Sequence, residues 1–141
     1  MADYGHRMAH EIMFDDSDPV LARVRALALA LPAAAEKVSH GRPCFFTKKI
    51  FVIYGATTKG DHHDGRRDTA MIFMPHPAES VALLQDPRFF TPAYWGPYGW
   101  LATDLAESTT DWEEVAELIE ESYRQTAPPK LVAQLDTSAT E

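Results

Sequence analysis

The chain has 141 residues, 45% of them hydrophobic, a single cysteine and a formal net charge of −8. Such a length and apolar fraction fit one globular domain with a real core and exclude wholesale disorder. One cysteine, Cys44, excludes an intramolecular disulfide and any paired-cysteine metal or redox motif, and it points to a reducing, cytoplasmic compartment.

Residues 1–15 show no usable periodicity and read as a loose extension. A helix is predicted to start at Asp18, a good N-cap, with Pro19 in the first helical position. Val20, Leu21, Val24, Leu27, Ala28 and Leu31 recur at helical spacing, and Pro32 ends the run. This alanine-rich stretch resembles a signal peptide, yet Arg23 and Arg25 interrupt it, and Asp15, Asp16 and Asp18 stand where a basic region belongs. No segment reaches the roughly 20 apolar residues of a membrane span, so no membrane partner is expected.

Three strands are predicted next: Pro43 to Thr47, Lys49 to Tyr54, and Thr69 to Met74. The gap at Thr47-Lys48 predicts a tight hairpin, while Ala56 to Asp68 reads as a long polar loop. Ala78 to Gln85 is a short helix between Pro77 and Asp86-Pro87. The stretch from Phe89 to Trp100 holds six aromatics in twelve residues, out of fifteen in the chain. It is interleaved with Pro92, Pro97, Gly96 and Gly99, and predicts two strands meeting at a Gly-Pro turn, the second running from Trp100 to Asp104. The last helix opens on a capping box of Thr110 and Glu113, with Trp112, Val115, Ala116, Ile119 and Tyr123 on its core side. Pro128-Pro129 breaks it, Leu131, Val132 and Leu135 form one more docked turn, and residues 136–141 are a polar tail.

The order α-β-β-β-α-β-β-α with hairpin-length connections predicts an α+β two-layer sandwich. It would hold an antiparallel sheet of about five strands with helices on one face, as a single domain over residues 16–135. Charge is unevenly spread: residues 36–70 carry a net +3 and residues 104–141 a net −8. A polyanion would have to meet the first of these regions.

The candidate site residues divide into basic and aromatic sets. In the Ser39-His40-Gly41-Arg42 turn, Arg42 suits an anion fork and His40 a donor that titrates near neutral pH; the alternative is local pairing of these groups. Lys48, Lys49, Lys59, Arg66 and Arg67 extend the basic set. Tyr94, Trp95 and Tyr98 suit a surface for stacking a base, a flat ligand or a peptide, with Trp100 and Trp112 in the core. A His40–Cys44 nucleophile and base lacks a third group and an oxyanion-hole signature, so Cys44 reads as a small core residue. Asp61-His62-His63-Asp64 has metal-ligand residue types, but adjacent histidines in an extended stretch point apart, and a solvated loop is the reading adopted. No phosphate loop, zinc-protease motif or nucleophile elbow occurs, and neither a metal nor a cofactor is implied.

Three segments together resemble the MmcQ/YjbR-like family over roughly residues 18–135. They are Glu36-Lys37-Val38-Ser39-His40-Gly41-Arg42-Pro43-Cys44-Phe45, Tyr94-Trp95-Gly96-Pro97-Tyr98-Gly99-Trp100, and Asp111-Trp112 leading into Glu121-Ser122-Tyr123-Arg124 and Pro129-Lys130. The resemblance implies an α-β(3)-α-β(2)-α fold related in shape to secretion chaperones and to the CyaY-like fold. It also implies a DNA-binding, non-enzymatic role, with weak, salt-dependent binding given the net charge. The alternative is a small-molecule or peptide-binding domain that uses residues 94–100 and the Ser39–Arg42 turn, taking a small anionic or aromatic ligand.

Overall fold

The computed structural model describes residues 11–58 and 65–139. Its first helix, α1 (Pro19–Leu29), starts as the sequence predicts: Asp18 Oδ1 accepts from Val20 N–H at 2.9 Å, and Pro19 follows the cap. The other carboxylate oxygen accepts from the Tyr54 hydroxyl at 2.5 Å, tying the start of α1 to the sheet. Leu21, Val24 and Ala28 are buried along one face of the helix.

Six strands form one antiparallel sheet: β1 (Ala35–Ser39), β2 (Arg42–Phe46), β3 (Ile50–Thr57), β4 (Arg66–Phe73), β5 (Phe89–Phe90) and β6 (Leu101–Asp104), in the order β1-β2-β3-β4-β6-β5. The α+β class and the antiparallel sheet agree with expectation; the strand count is one higher. The added strand is β1. The segment expected as a turn ahead of the first strand is the β1–β2 hairpin itself, with His40 at φ 53° and Gly41 at φ 81°. Two successive left-handed residues make the turn whose twist matches paired strands. Ala35-Glu36-Lys37-Val38-Ser39 escapes a strand prediction because Val38 is its single strongly strand-favouring residue, on the edge of the sheet.

The β3–β4 connection is shorter than the predicted polar loop, because Thr57 pairs with Arg66 and Ala56 with Arg67. Residues 59–64, including Lys59 and Asp61-His62-His63-Asp64, lie outside the described residues. So do 1–10 of the expected extension, whereas Met13 N–H donates to Gly41 O at 2.9 Å.

On one face of the sheet α1 and α3 (Trp112–Thr126) pack over Phe45, Phe51, Tyr54, Met71 and Phe73. Phe51 meets Tyr123 edge-on at 5.3 Å, and Tyr123 donates to Pro32 O at 2.6 Å. Buried Ser122 accepts from Met74 N–H at 2.8 Å and donates to Phe51 O at 2.5 Å, joining the helix to the ends of β3 and β4. The cap of α3 is Asp111 rather than Thr110: Asp111 Oδ1 accepts from Glu113 N–H and Glu114 N–H, while Thr110 donates to Leu105 O. Trp112 is half-buried against this core with the Arg23 guanidinium 4.3 Å from its ring centre. A short helix α2 (Ser80–Leu84) follows a 3-10 turn at Pro77–Glu79.

The single docked turn expected after Pro128-Pro129 is a full helix, α4 (Pro129–Ala139), which reaches into the predicted polar tail. Pro129 stands at its first residue, where a missing N–H costs nothing. Arg124 pairs with Asp136 at 2.7 Å and holds α4 to α3. Among the described residues no helix is long and apolar enough to cross a membrane.

The opposite face has its own apolar layer, formed by Cys44, Ile53, Ala56, Ala70, Ile72, Trp100 and Ala102. Among the described residues a connecting segment, not a helix, covers it. After β5 the chain crosses the sheet, where Ala93 N–H donates to Thr57 O at 2.7 Å and Pro92 bridges Thr58. It then turns back through a 3-10 turn at Gly96–Tyr98 to reach β6. The alanines beneath it leave room for the indoles of Trp95 and Trp100. The predicted pair of strands at a Gly-Pro turn is thus a two-residue strand, a long crossing segment and β6.

Candidate ligand-binding face

Arg42 is 6% exposed. Its Nη1 donates to Asp68 Oδ1 at 3.1 Å and to Met13 O at 3.4 Å, and its buried Nη2 has no partner among the described residues. Arg66 holds the same carboxylate, Nε to Oδ1 at 2.9 Å and Nη2 to Oδ2 at 3.1 Å. Burial alone would raise the Asp68 carboxyl; the hydrogen bonds from Arg66 and Arg42 outweigh it and hold the group below its ordinary range. Arg42 therefore closes an ion cluster between β2 and β4 and is not presented to solvent as a fork. Ser39 is half-buried at the end of β1, and His40 is exposed in the turn.

The remaining basic residues are not gathered in one place. Lys48 and Lys49 are exposed at the β2–β3 turn, while Arg66 and Arg67 begin β4 opposite the far end of β3. Eight residues of β3 at about 3.3 Å each put roughly 25 Å between the two groups. Arg67 donates to Arg66 O at 3.3 Å.

The aromatic segment is presented as a ledge. Tyr94 is 70% and Tyr98 76% exposed, whereas Trp100 is 9% exposed beneath them. Half-buried Trp95 meets Trp100 edge-on, with ring centres 5.2 Å apart at 68°. Short backbone bonds fix the ledge: Gly96 N–H to Pro92 O at 2.9 Å, Tyr98 N–H to Trp95 O at 3.1 Å and Gly99 N–H to Gly96 O at 2.9 Å. Tyr94 itself adopts φ 70°, a left-handed conformation uncommon for a bulky residue.

Lys37 adds a cation to this face. It pairs in register with Cys44, and its ammonium stands 4.7 Å from the Phe46 ring centre. Beneath it burial pushes the Cys44 thiol up to about 11, with the Lys37 charge opposing. The glutamates of α3 lie in the helical layer on the other side of the sheet. Lys37 and Asp68 are not singled out by the sequence, because nothing local marks either.

Two grooves open elsewhere. One, of about 610 Å³, lies between residues 12–19 and Arg66, Asp68 and Thr69. The other, of about 410 Å³, runs between the β5–β6 margin and the start of α3 and includes Arg67. Neither is lined by Tyr94, Trp95, Tyr98, Ser39, His40 or Arg42. Among the described residues no cluster of three or more His, Cys, Asp or Glu could hold a metal ion.

A family model described as YjbR matches residues 29–125, from the end of α1 through all six strands to the end of α3. No curated protein and no solved structure matches the chain.

Proposed function

The chain belongs to the YjbR family, and from that premise we propose a non-catalytic binding module whose helix-free sheet face takes a ligand with a flat aromatic body and a negative group. One observation carries the proposal: two large aromatic rings, Tyr94 and Tyr98, stand 70% and 76% exposed on a backbone that hydrogen bonds and a 3-10 turn hold in place. Rings fixed in advance lose little conformational entropy on binding, and each stacked base contributes about 1–3 kcal/mol. Lys37 on the same face supplies positive charge, and the sheet separates it from the glutamates of α3. The buried Cys44 thiol suits a reducing, cytoplasmic setting.

A second reading, DNA as the ligand, is favoured by the placement of Lys37 on the aromatic face. So few cations on a chain of net charge −8 give weak binding that is lost as salt rises.

Adenosine monophosphate and a short oligothymidylate, titrated against intrinsic tryptophan fluorescence, test the first reading. The expected result is quenching of Trp95 by the nucleotide and a loss of about five- to a hundredfold in affinity in Tyr94→Ala/Tyr98→Ala, at unchanged thermal midpoint. Equal binding by wild type and that variant would overturn the proposal.

A further inference from the structure

The helical layer does not reach the whole sheet. Six strands at about 4.8 Å spacing make a surface roughly 24 Å wide, whereas two helices of about 10 Å cover less. Helix α1 packs on β2 and β3, and α3 on β3 and β4. The β6–β5 margin is left to the short helix α2 against β5, to the residues that follow β6 and to the first turns of α3, and the 410 Å³ groove opens there.

Its floor is apolar, with Phe89, Leu105 and Val115 each less than a tenth exposed. Its walls are acidic. Four carboxylates, Asp104, Glu107, Asp111 and Glu114, face two guanidiniums, Arg67 and Arg88. Arg88 is already held by Asp86 at 2.8 Å and by Glu114 at 2.8 Å. Helix α3 continues the field with Glu113, Glu117, Glu120 and Glu121, in the part of the chain that carries a net −8. The positive N-terminal pole of α3 is met by Asp111, Glu113 and Glu114 in its cap and first turn. Beside the groove, β5 is the last strand of the sheet among the described residues, with β6 on its one paired side.

We propose that this groove docks an extended, basic segment of a partner protein, with apolar side chains on the Phe89–Leu105–Val115 floor and Lys or Arg side chains toward Glu107 and Glu114. An apolar floor alone would accept any hydrophobic chain; the acidic walls select a cationic one and repel nucleic acid. The bordering edge strand gives such a segment a direction to lie along. This site lies at the sheet margin and is separate from the ledge, since neither Tyr94 nor Tyr98 lines it.

The probe is a nine-residue amidated peptide alternating leucine and lysine, against its leucine–glutamate counterpart. Backbone amide shifts of the labelled protein locate binding, and fluorescence anisotropy gives affinities. The expected result is saturable shifts at residues 88–90 and 105–115 with the lysine peptide and none with the glutamate peptide. Glu107→Lys should weaken binding about threefold and Glu107→Lys/Glu114→Lys at least tenfold. Glu117→Lys/Glu121→Lys, on the same helix outside the groove, should change it less than twofold, and Tyr94→Ala/Tyr98→Ala not at all. Equal binding of both peptides, shifts centred elsewhere, or an equal loss in Glu117→Lys/Glu121→Lys would overturn the proposal. Because Tyr94→Ala/Tyr98→Ala removes the other proposed site, failure of either reading is seen separately.

Discussion

The Arg42 guanidinium lies across Gly55 to reach Asp68, linking β2 to β4 over the intervening strand. The contact depends on glycine: a Cβ at position 55 would stand 2.1 Å from Arg42 Nη1. Gly55 also sits at φ 105°, beside the irregularity in β3–β4 pairing. The most conspicuous basic residue of the sequence is thus a cross-strand tie, which moves the search for a ligand from the Ser39–Arg42 turn to the ledge of Tyr94 and Tyr98.

Gly55→Ala should therefore destabilise the fold by about 2–4 kcal/mol, through a strained backbone and displacement of Arg42 from its carboxylate. Urea unfolding checks this. Asp68→Asn in the Gly55→Ala background should cost less than in wild type, because the ion pair is already broken. Full additivity would show that Arg42 and Asp68 are energetically independent.

Asp18 has one oxygen on the helix cap and the other on the Tyr54 hydroxyl. Asp18→Ala should cost about 2–4 kcal/mol, combining the lost cap with a buried hydroxyl left without its charged acceptor. Tyr54→Phe should cost only about 1–2 kcal/mol, since the cap survives. Thermal unfolding of both variants measures the difference, and equal losses would assign the whole effect to the tyrosine.

What the sequence displays is what is settled locally. Asp18-Pro19 marks a helix start because the cap bond spans two residues, and the aromatic–β-branched run from Ile50 to Tyr54 marks a strand by composition. The α3 cap lies one position beyond the one the sequence suggests because Thr110 and Asp111 are both competent; geometry favours the residue next to Trp112. The charge of Arg42 is visible in the sequence, but its partner is 26 residues away on a different strand, and only the register across Gly55 reveals the pair. The ledge was legible in part: its residues announced themselves, and so did burial of Trp100. The backbone crossing that lifts Tyr94 and Tyr98 into solvent depends on Ala56, Ala70 and Ala102 beneath it, which no local pattern signals.

The two indoles of that segment should respond differently to removal. Trp100→Ala takes a large ring out of the layer formed with Ile53, Ile72 and Ala102 and should cost about 3–5 kcal/mol. Trp95→Ala removes a half-buried ring and its edge-on contact, and should cost about 1–2 kcal/mol. Chemical denaturation of the two variants decides between this order and its reverse.

DNA binding, where it occurs, should show few ionic contacts. Two or three phosphate contacts to a single strand give a slope of log K against log salt of about −1.4 to −2. Anisotropy of a labelled oligothymidylate between low and moderate salt measures this slope, and Lys37→Glu should flatten it. A slope steeper than about −5 would require a basic surface that the two ends of β3, with their separated lysines and arginines, do not provide.

Cys44 gives the sheet a pH dependence on the alkaline side. Burial raises its thiol to about 11, above the value it has in the unfolded chain. Between roughly pH 8.5 and 11 the unfolded chain releases this proton and the folded protein keeps it. The stabilisation is fully present below the unfolded value and is lost as pH rises through the folded one, by on the order of 2 kcal/mol. Unfolding free energies at about pH 8 and pH 10.5 should differ more for wild type than for Cys44→Ala, which keeps the tyrosine and lysine titrations but lacks the thiol. The same burial predicts slow reaction of native Cys44 with a thiol reagent at pH 8 and fast reaction after unfolding in urea. Rapid labelling of the native protein, with no difference in alkaline sensitivity between the two forms, would place the thiol at the surface, not under the aromatic segment.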